Sequence, residues 1–141
     1  MIEPDQHVIL IAEDDPDDRL MLADAFSENR YRSRIEFAGS GKEVLGYLRG
    51  TDRDLPALIL LDLNMPGLDG RTLLKILKTD PETEKIPVVI LTTSKAGTDR
   101  TSVYELGASG FFTKPSSFTE LVEITSSILH KWLPNKTLTK N

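Results

Sequence analysis

Asp62 closes a short apolar run, Pro56-Ala57-Leu58-Ile59-Leu60-Leu61, after which the chain breaks into Met65-Pro66-Gly67. An apolar run of that length bounded by turn residues reads as a buried strand. Proline and glycine cannot extend its ladder, so the acid falls at the strand's carboxyl end. Three other runs end in polar residues: His7 to Ala12 in Glu13-Asp14, Ile86 to Leu91 in Thr92, and Phe111 to Thr113 in Lys114. At one sheet edge, where open α/β sheets bind ligands, these ends would gather three carboxylates, a hydroxyl and an ammonium. Crowded carboxylates are costly unless a cation neutralises them. Magnesium suits such a set, because it takes a few carboxylates, a carbonyl and retained waters. Asp14 and Asp62 would bind it directly and Glu13 through water. Metal, lysine and hydroxyl together would hold a phosphoryl group against an aspartate, an adequate nucleophile for forming an aspartyl phosphate.

The elements that must position these ends follow from local signals. Asp15-Pro16 reads as N-cap and first helical position, with Asp17 and Asp18 in a first turn where the helix dipole favours acids. Met21, Leu22, Ala25 and Phe26 give that helix its buried face. Arg34 to Ala38 alternates polar and apolar residues, which suggests an edge strand. Gly39-Ser40-Gly41-Lys42-Glu43 is not a phosphate-binding loop, since that motif needs glycine at position 36 and Ser or Thr at 43. Ser40 and Glu43 form a capping box instead, opening a helix with Val44, Leu45 and Leu48 inward. Leu73, Leu74 and Leu77 mark a third helix that ends before Asp80-Pro81. A fourth helix over about Thr98 to Leu106 has few apolar residues, chiefly Val103 and Leu106, and is a candidate for movement. Ser117 and Glu120 cap a last helix lined by Leu121, Ile124, Ile128 and Trp132, and a polar tail runs from Leu133 to Asn141. Five alternations of strand and helix with strands apolar on both faces call for a parallel sheet covered on each side.

Length and composition narrow the function classes. A chain of 141 residues with 39% hydrophobic and 28% charged residues suits one soluble domain, with a core over about 7–132 and no repeats or linker. No apolar run approaches the roughly 18 residues of a membrane span, and the N-terminus lacks a signal peptide's basic and apolar regions, so the expected location is cytoplasmic. Zero cysteines excludes disulfides and thiolate chemistry, and His7 and His130 make a poor metal pair. A net charge of −5 argues against a nucleic-acid surface.

The motifs Ile-Ala-Glu-Asp-Asp, Leu-Asp-Leu-Asn-Met-Pro-Gly-Leu-Asp-Gly, Leu-Thr-Thr-Ser and Gly-Ala-Ser-Gly-Phe-Phe-Thr-Lys-Pro stand in order along residues 7 to 132. The chain thereby closely resembles the receiver domain of two-component response regulators, especially stand-alone receivers of the chemotaxis type. The resemblance implies a doubly wound, flavodoxin-like five-stranded parallel sheet of order 2-1-3-4-5. It implies Asp62 as phosphoacceptor, Asp14 as direct magnesium ligand, Glu13 as its water-mediated partner and the Asn64 carbonyl as a further ligand. Thr92 becomes the switch hydroxyl, Lys114 the phosphate partner, Phe111 the switch aromatic, and the Lys114–Pro115 bond a cis peptide. The donor would be a histidine kinase or histidine phosphotransfer protein. With no effector domain after residue 132, the output would be a protein target docking on the fourth helix, fifth strand and fifth helix, and the last helix could also serve a homodimer. Such a domain is a phosphoacceptor that catalyses its own phosphorylation and dephosphorylation rather than an enzyme acting on other substrates.

This chain departs from the family pattern in a few places. Glu13 replaces a frequent aspartate, Thr93 a frequent alanine or glycine, and Phe111 lacks the hydroxyl of the tyrosine found in some members; Asn64 and Ser94 occupy positions that tune dephosphorylation. Two rival readings remain. A phosphorylation-independent docking module on the same fold would leave the acid, threonine and lysine set without purpose. A hydrolase with an aspartate nucleophile would want a second acid two residues after Asp62, where Asn64 stands.

Overall fold

The computed structural model of the chain describes residues 7–29, 33–50, 55–93 and 97–133. Strands β1 (His7–Ala12), β2 (Ser33–Ala38), β3 (Leu58–Leu61), β4 (Val88–Thr92) and β5 (Gly110–Thr113) alternate with helices α1 (Pro16–Ser27), α2 (Gly41–Leu48), α3 (Gly70–Thr79), α4 (Gly97–Glu105) and α5 (Phe118–Trp132). All pairings are parallel, in the order β2-β1-β3-β4-β5. This is the expected doubly wound sheet, and β2 is the half-buried edge strand that its alternation implied.

Local sequence starts α1, α2 and α5 where expected. The Asp15 carboxylate accepts the N–H groups of Asp17 at 2.8 Å and Asp18 at 3.3 Å, which satisfies donors that the first turn of α1 would otherwise leave orphaned. Ser40 accepts the Glu43 N–H at 3.2 Å, while the Glu43 carboxylate reaches one residue further back, to the N–H of Gly39 at 3.1 Å. Asp69 caps α3 through Thr72, and Ser117 caps α5 through Glu120.

The strands separate two apolar layers because their side chains alternate. Val8, Leu10, Ile59, Leu61, Val88 and Ile90 face α2, α3 and α4, where they meet Val44, Leu73, Leu74, Leu77 and Val103. Ile9, Ile11, Leu58, Leu60, Val89 and Leu91 face α1 and α5, where they meet Leu22, Ala25, Phe26, Leu121 and Ile128. Three expectations shift. Met21 is exposed, so Leu22, Ala25 and Phe26 carry the inner face of α1. Tyr47 joins the core from α2, while Leu45 and Leu48 lie at its margin. Leu133 is buried in the α1–α5 layer rather than part of a polar tail, and residues 134–141 lie outside the described residues.

Register then fixes the sheet edge. Ala12 pairs with Leu61, Leu61 with Ile90, and Thr92 with Thr113. Glu13 and Asp62 therefore emerge side by side, and Lys114 leaves β5 two residues further along, across the end of β4. Backbone bonds hold them there: Asp62 N–H to the Ala12 carbonyl at 3.2 Å, Glu13 N–H to Ala38 at 2.9 Å, and Lys114 N–H to Thr92 at 2.8 Å.

Candidate functional site

Asp62, Glu13 and Thr92 are the polar residues that this edge buries most deeply, with relative exposures of 5%, 2% and 0%. Buried carboxylates need partners, and each has them. One Asp62 oxygen, Oδ1, accepts the Thr92 hydroxyl at 3.0 Å and the Asn64 backbone N–H at 3.0 Å. The other, Oδ2, accepts the Lys114 ammonium at 2.8 Å. The same ammonium donates to Glu13 Oε1 at 2.7 Å and to Asp18 Oδ2 at 2.8 Å. Three N–H bonds are all that a lysine has. Glu13 Oε2 accepts the Asp15 N–H at 3.1 Å, and Arg19 Nε donates to the Glu13 carbonyl at 2.7 Å, tying the loop after β1 to α1.

The loop after β3 completes the rim. Gly67 takes φ +79°, a left-handed conformation that residues with a Cβ avoid, and the turn it makes follows directly on Asn64. The Asn64 side-chain amide donates to Thr92 Oγ1 at 3.1 Å and to Thr93 Oγ1 at 3.2 Å. Thr92 therefore sits between an amide donor and a carboxylate acceptor.

Electrostatics follow from burial and pairing. Burial raises the Glu13 pKa above its ordinary 4.5, although hydrogen bonds from Lys114 and the Asp15 N–H pull the other way. Burial opposes the Lys114 charge, but hydrogen bonds to Asp18, Asp62 and Glu13 outweigh it and hold that pKa well above its ordinary value. The lysine is therefore a fixed positive charge beside Asp62.

Of the residues named from sequence, Glu13, Asp62, Asn64, Thr92 and Lys114 come together here. Asp14, next to Glu13 in the chain, is exposed, and among the described residues no three acidic or imidazole side chains are spaced as a ready-made metal cage. The Lys114 ammonium supplies one positive charge to Glu13, Asp18 and Asp62, so the crowded acids are partly compensated from within. The donor set still suits a hard cation. It consists of oxygens alone, and the pKa of Glu13 stays raised even with the ammonium alongside, so its negative charge is under-compensated.

Two further expectations meet the structure differently. No peptide bond among the described residues is cis, so the Lys114–Pro115 bond is trans. Trans is favoured before proline by about 0.5–1 kcal/mol, and Lys114 reaches all three carboxylates with that bond in place. Phe111 is buried in the layer beneath α4, and the Arg100 guanidinium lies over its ring at 5.1 Å from the centroid. Ser94 lies outside the described residues.

Asp18 is the site residue that sequence reasoning missed, because its place in the first turn of α1 was accounted for by the helix dipole. No local signal marks its contact with Lys114, which lies 96 residues away in the sequence.

Comparison with known proteins bears on the whole arrangement. The model of the response regulator receiver domain family matches residues 9–126. The chain is 36% identical over 132 residues to the probable methanogenesis regulatory protein FilR2 of Methanothrix harundinacea, covering 92% of this chain and 85% of that protein. It is 32% identical over 135 residues to the response regulator Rcp1 of Synechocystis, covering 93% and 92%. Among solved structures it resembles the phosphorylated cyanobacterial phytochrome response regulator RcpA, with a TM-score of 0.85, 33% identity and coverage of 96% and 99%. The Mn2+-bound form of Rcp1 gives a TM-score of 0.83 with 32% identity, covering 95% and 99%.

Proposed function

The chain belongs to the response regulator receiver domain family, and so to two-component signalling; from that premise we propose that Asp62 accepts the phosphoryl group and that the residues around it serve this transfer. The observation that carries the proposal is the convergence of Thr92 and Lys114 on the two oxygens of one buried carboxylate. One Asp62 oxygen attacks the phosphorus of a phosphohistidine, the P–N bond breaks, and the imidazole nitrogen leaves with its electron pair. Lys114 stays protonated and offers its charge to the transferred oxygens. Thr92, already hydrogen-bonded to Asp62, can exchange that acceptor for a phosphoryl oxygen.

A divalent ion fits the oxygen donors, and the manganese bound by the relative Rcp1 supports one. We assign magnesium, held by Asp14, Asp62 and the Asn64 carbonyl, with Glu13 acting through water. When bound it would neutralise charge on the transferring group. Lys114 must then release part of its hold on Glu13 and Asp62.

Phosphorylation would be read through Thr92 and Phe111 as a shift between two states of α4, β5 and α5. The exposed aromatics Tyr104 on α4 and Phe118 on α5 support that face as the docking surface for a downstream protein. The phosphodonor is a histidine kinase or phosphotransfer protein. The location is cytoplasmic, a choice supported by the absence among the described residues of any helix long and apolar enough to cross a membrane. The test is incubation with magnesium and acetyl phosphate: the protein gains one phosphoryl mass and Asp62→Asn gains none, whereas equal gain in both would refute the assignment.

A further inference from the structure

Asp18 enters the site from a helix, while the other partners of Lys114, Glu13 and Asp62, stand at strand ends. An acid in a first turn is ordinarily explained by the helix dipole, and Asp15 and Asp17 already provide that at the start of α1. The dipole does not explain why the Asp18 carboxylate lies 2.8 Å from Lys114 Nζ, a contact spanning 96 residues of sequence.

The geometry points to Asp18 as a positioning residue for Lys114, the carboxylate that fixes the ammonium beside Asp62. Lysine is a point charge on a flexible four-carbon stem with three rotatable donors. Glu13 and Asp62 take two of its N–H groups, and both are buried. Those two acids are also the ones that phosphotransfer and a cation would occupy, so neither can hold the lysine throughout the reaction. Asp18 lies outside that set. Its side chain is 38% exposed, and it is carried by a helix turn whose N–H groups are capped by Asp15. It takes the third N–H from the side, leaving the other two free to turn from these acids to the group that Asp62 carries. The apolar hollow lined by Met21, Leu22, Leu91, Pro115 and Leu121 borders both Asp18 and Lys114, and it offers the ammonium no other polar partner.

This inference rests on Asp62 as phosphoacceptor, and one experiment separates the two. Mass gain with magnesium and acetyl phosphate is followed for the native protein, Asp18→Asn, Lys114→Met and the double variant. Asp18→Asn slows the native reaction by about fivefold, the scale of one partly exposed ion pair, and has no effect on the Lys114→Met background. An equal slowing in both backgrounds, or none in the first, overturns the inference in favour of a helix-dipole role. A native protein that gains no mass refutes the phosphoacceptor instead. The positioning contact is then decided by the 15N-ammonium signal of Lys114. Its protons are protected from solvent exchange in the native protein and lose that protection in Asp18→Asn, and an unchanged signal would rule the contact out.

Discussion

Thr92 donates its hydroxyl proton to Oδ1 of Asp62 at 3.0 Å, and its oxygen accepts the Asn64 amide at 3.1 Å. A single hydroxyl thus joins the end of β4 to the carboxylate at the end of β3 and to the loop beyond it. Thr92→Ala removes the link without disturbing the strand. Its cost in urea unfolding should be about 1.5–3 kcal/mol, the range for a buried hydrogen bond to a charged group. Thr92→Ser should restore most of it. Both variants should still gain phosphoryl mass, but in Thr92→Ala the ring signals of Phe111 should no longer respond to that gain. A response of undiminished size would remove Thr92 from the switch.

Glu13 gives a pH dependence of definite sign. Burial raises its folded pKa above 4.5, so the folded chain binds this proton more tightly than the unfolded chain does. The stabilisation from that proton is fully present below pH 4.5 and is lost as pH rises through the folded value. Glu13→Gln lacks this component. Unfolding measured from pH 4 to 8 should therefore show the stability difference between variant and native shifting in favour of the variant as pH rises, then levelling. A difference that is flat, or that shifts the other way, would show that Lys114 and the Asp15 N–H fully compensate the buried charge.

How far the site was legible depends on how local its causes are. Asp62, Thr92 and Lys114 stood out because apolar strands end abruptly at polar residues, and a parallel sheet brings such ends to one edge. The caps at Asp15, Ser40 and Ser117 were legible for the same reason, since each is settled within four residues. Asp18 was not, because its contact with Lys114 depends on how α1 is rotated against β5, which the packing of Leu22, Ala25 and Phe26 decides. The same rotation leaves Met21 exposed. Asp14 differs from its neighbour Glu13: spacing places both at the edge, but in the structure Glu13 is buried and Asp14 is exposed.

Gly110 opens β5 against the indole of Trp132. A Cβ there would stand 2.5 Å from Trp132 Cη2, and the indole also packs edge-on against Phe112 at 6.4 Å between ring centroids. Gly110→Ala therefore forces the ring to move and should lower stability by about 1–3 kcal/mol, as overpacking does. Combined with Trp132→Leu, the alanine should cost markedly less than alone, because the obstructing ring is gone. Additive losses in urea unfolding would place the strain in the backbone rather than in the indole.

Arg100 closes the face of Phe111 from α4, its guanidinium 5.1 Å from the ring centroid. Phe111 has no hydroxyl, so packing and this cation–π contact are what hold the ring inward. Few apolar side chains anchor α4: Val103 is buried, and Leu106, just past its end, is partly buried. A contact worth about 0.5–1 kcal/mol is therefore a large part of what keeps α4 over β5. Arg100→Gln removes the cation but keeps a long polar side chain. It should speed amide hydrogen exchange in α4 relative to α3, whose Leu73, Leu74 and Leu77 are fully buried. It should also broaden the Phe111 ring signals, as the ring begins to sample an outward position. Unchanged exchange in α4 with sharp Phe111 signals would mean that apolar packing alone holds the ring, and the guanidinium would then have no part in the switch.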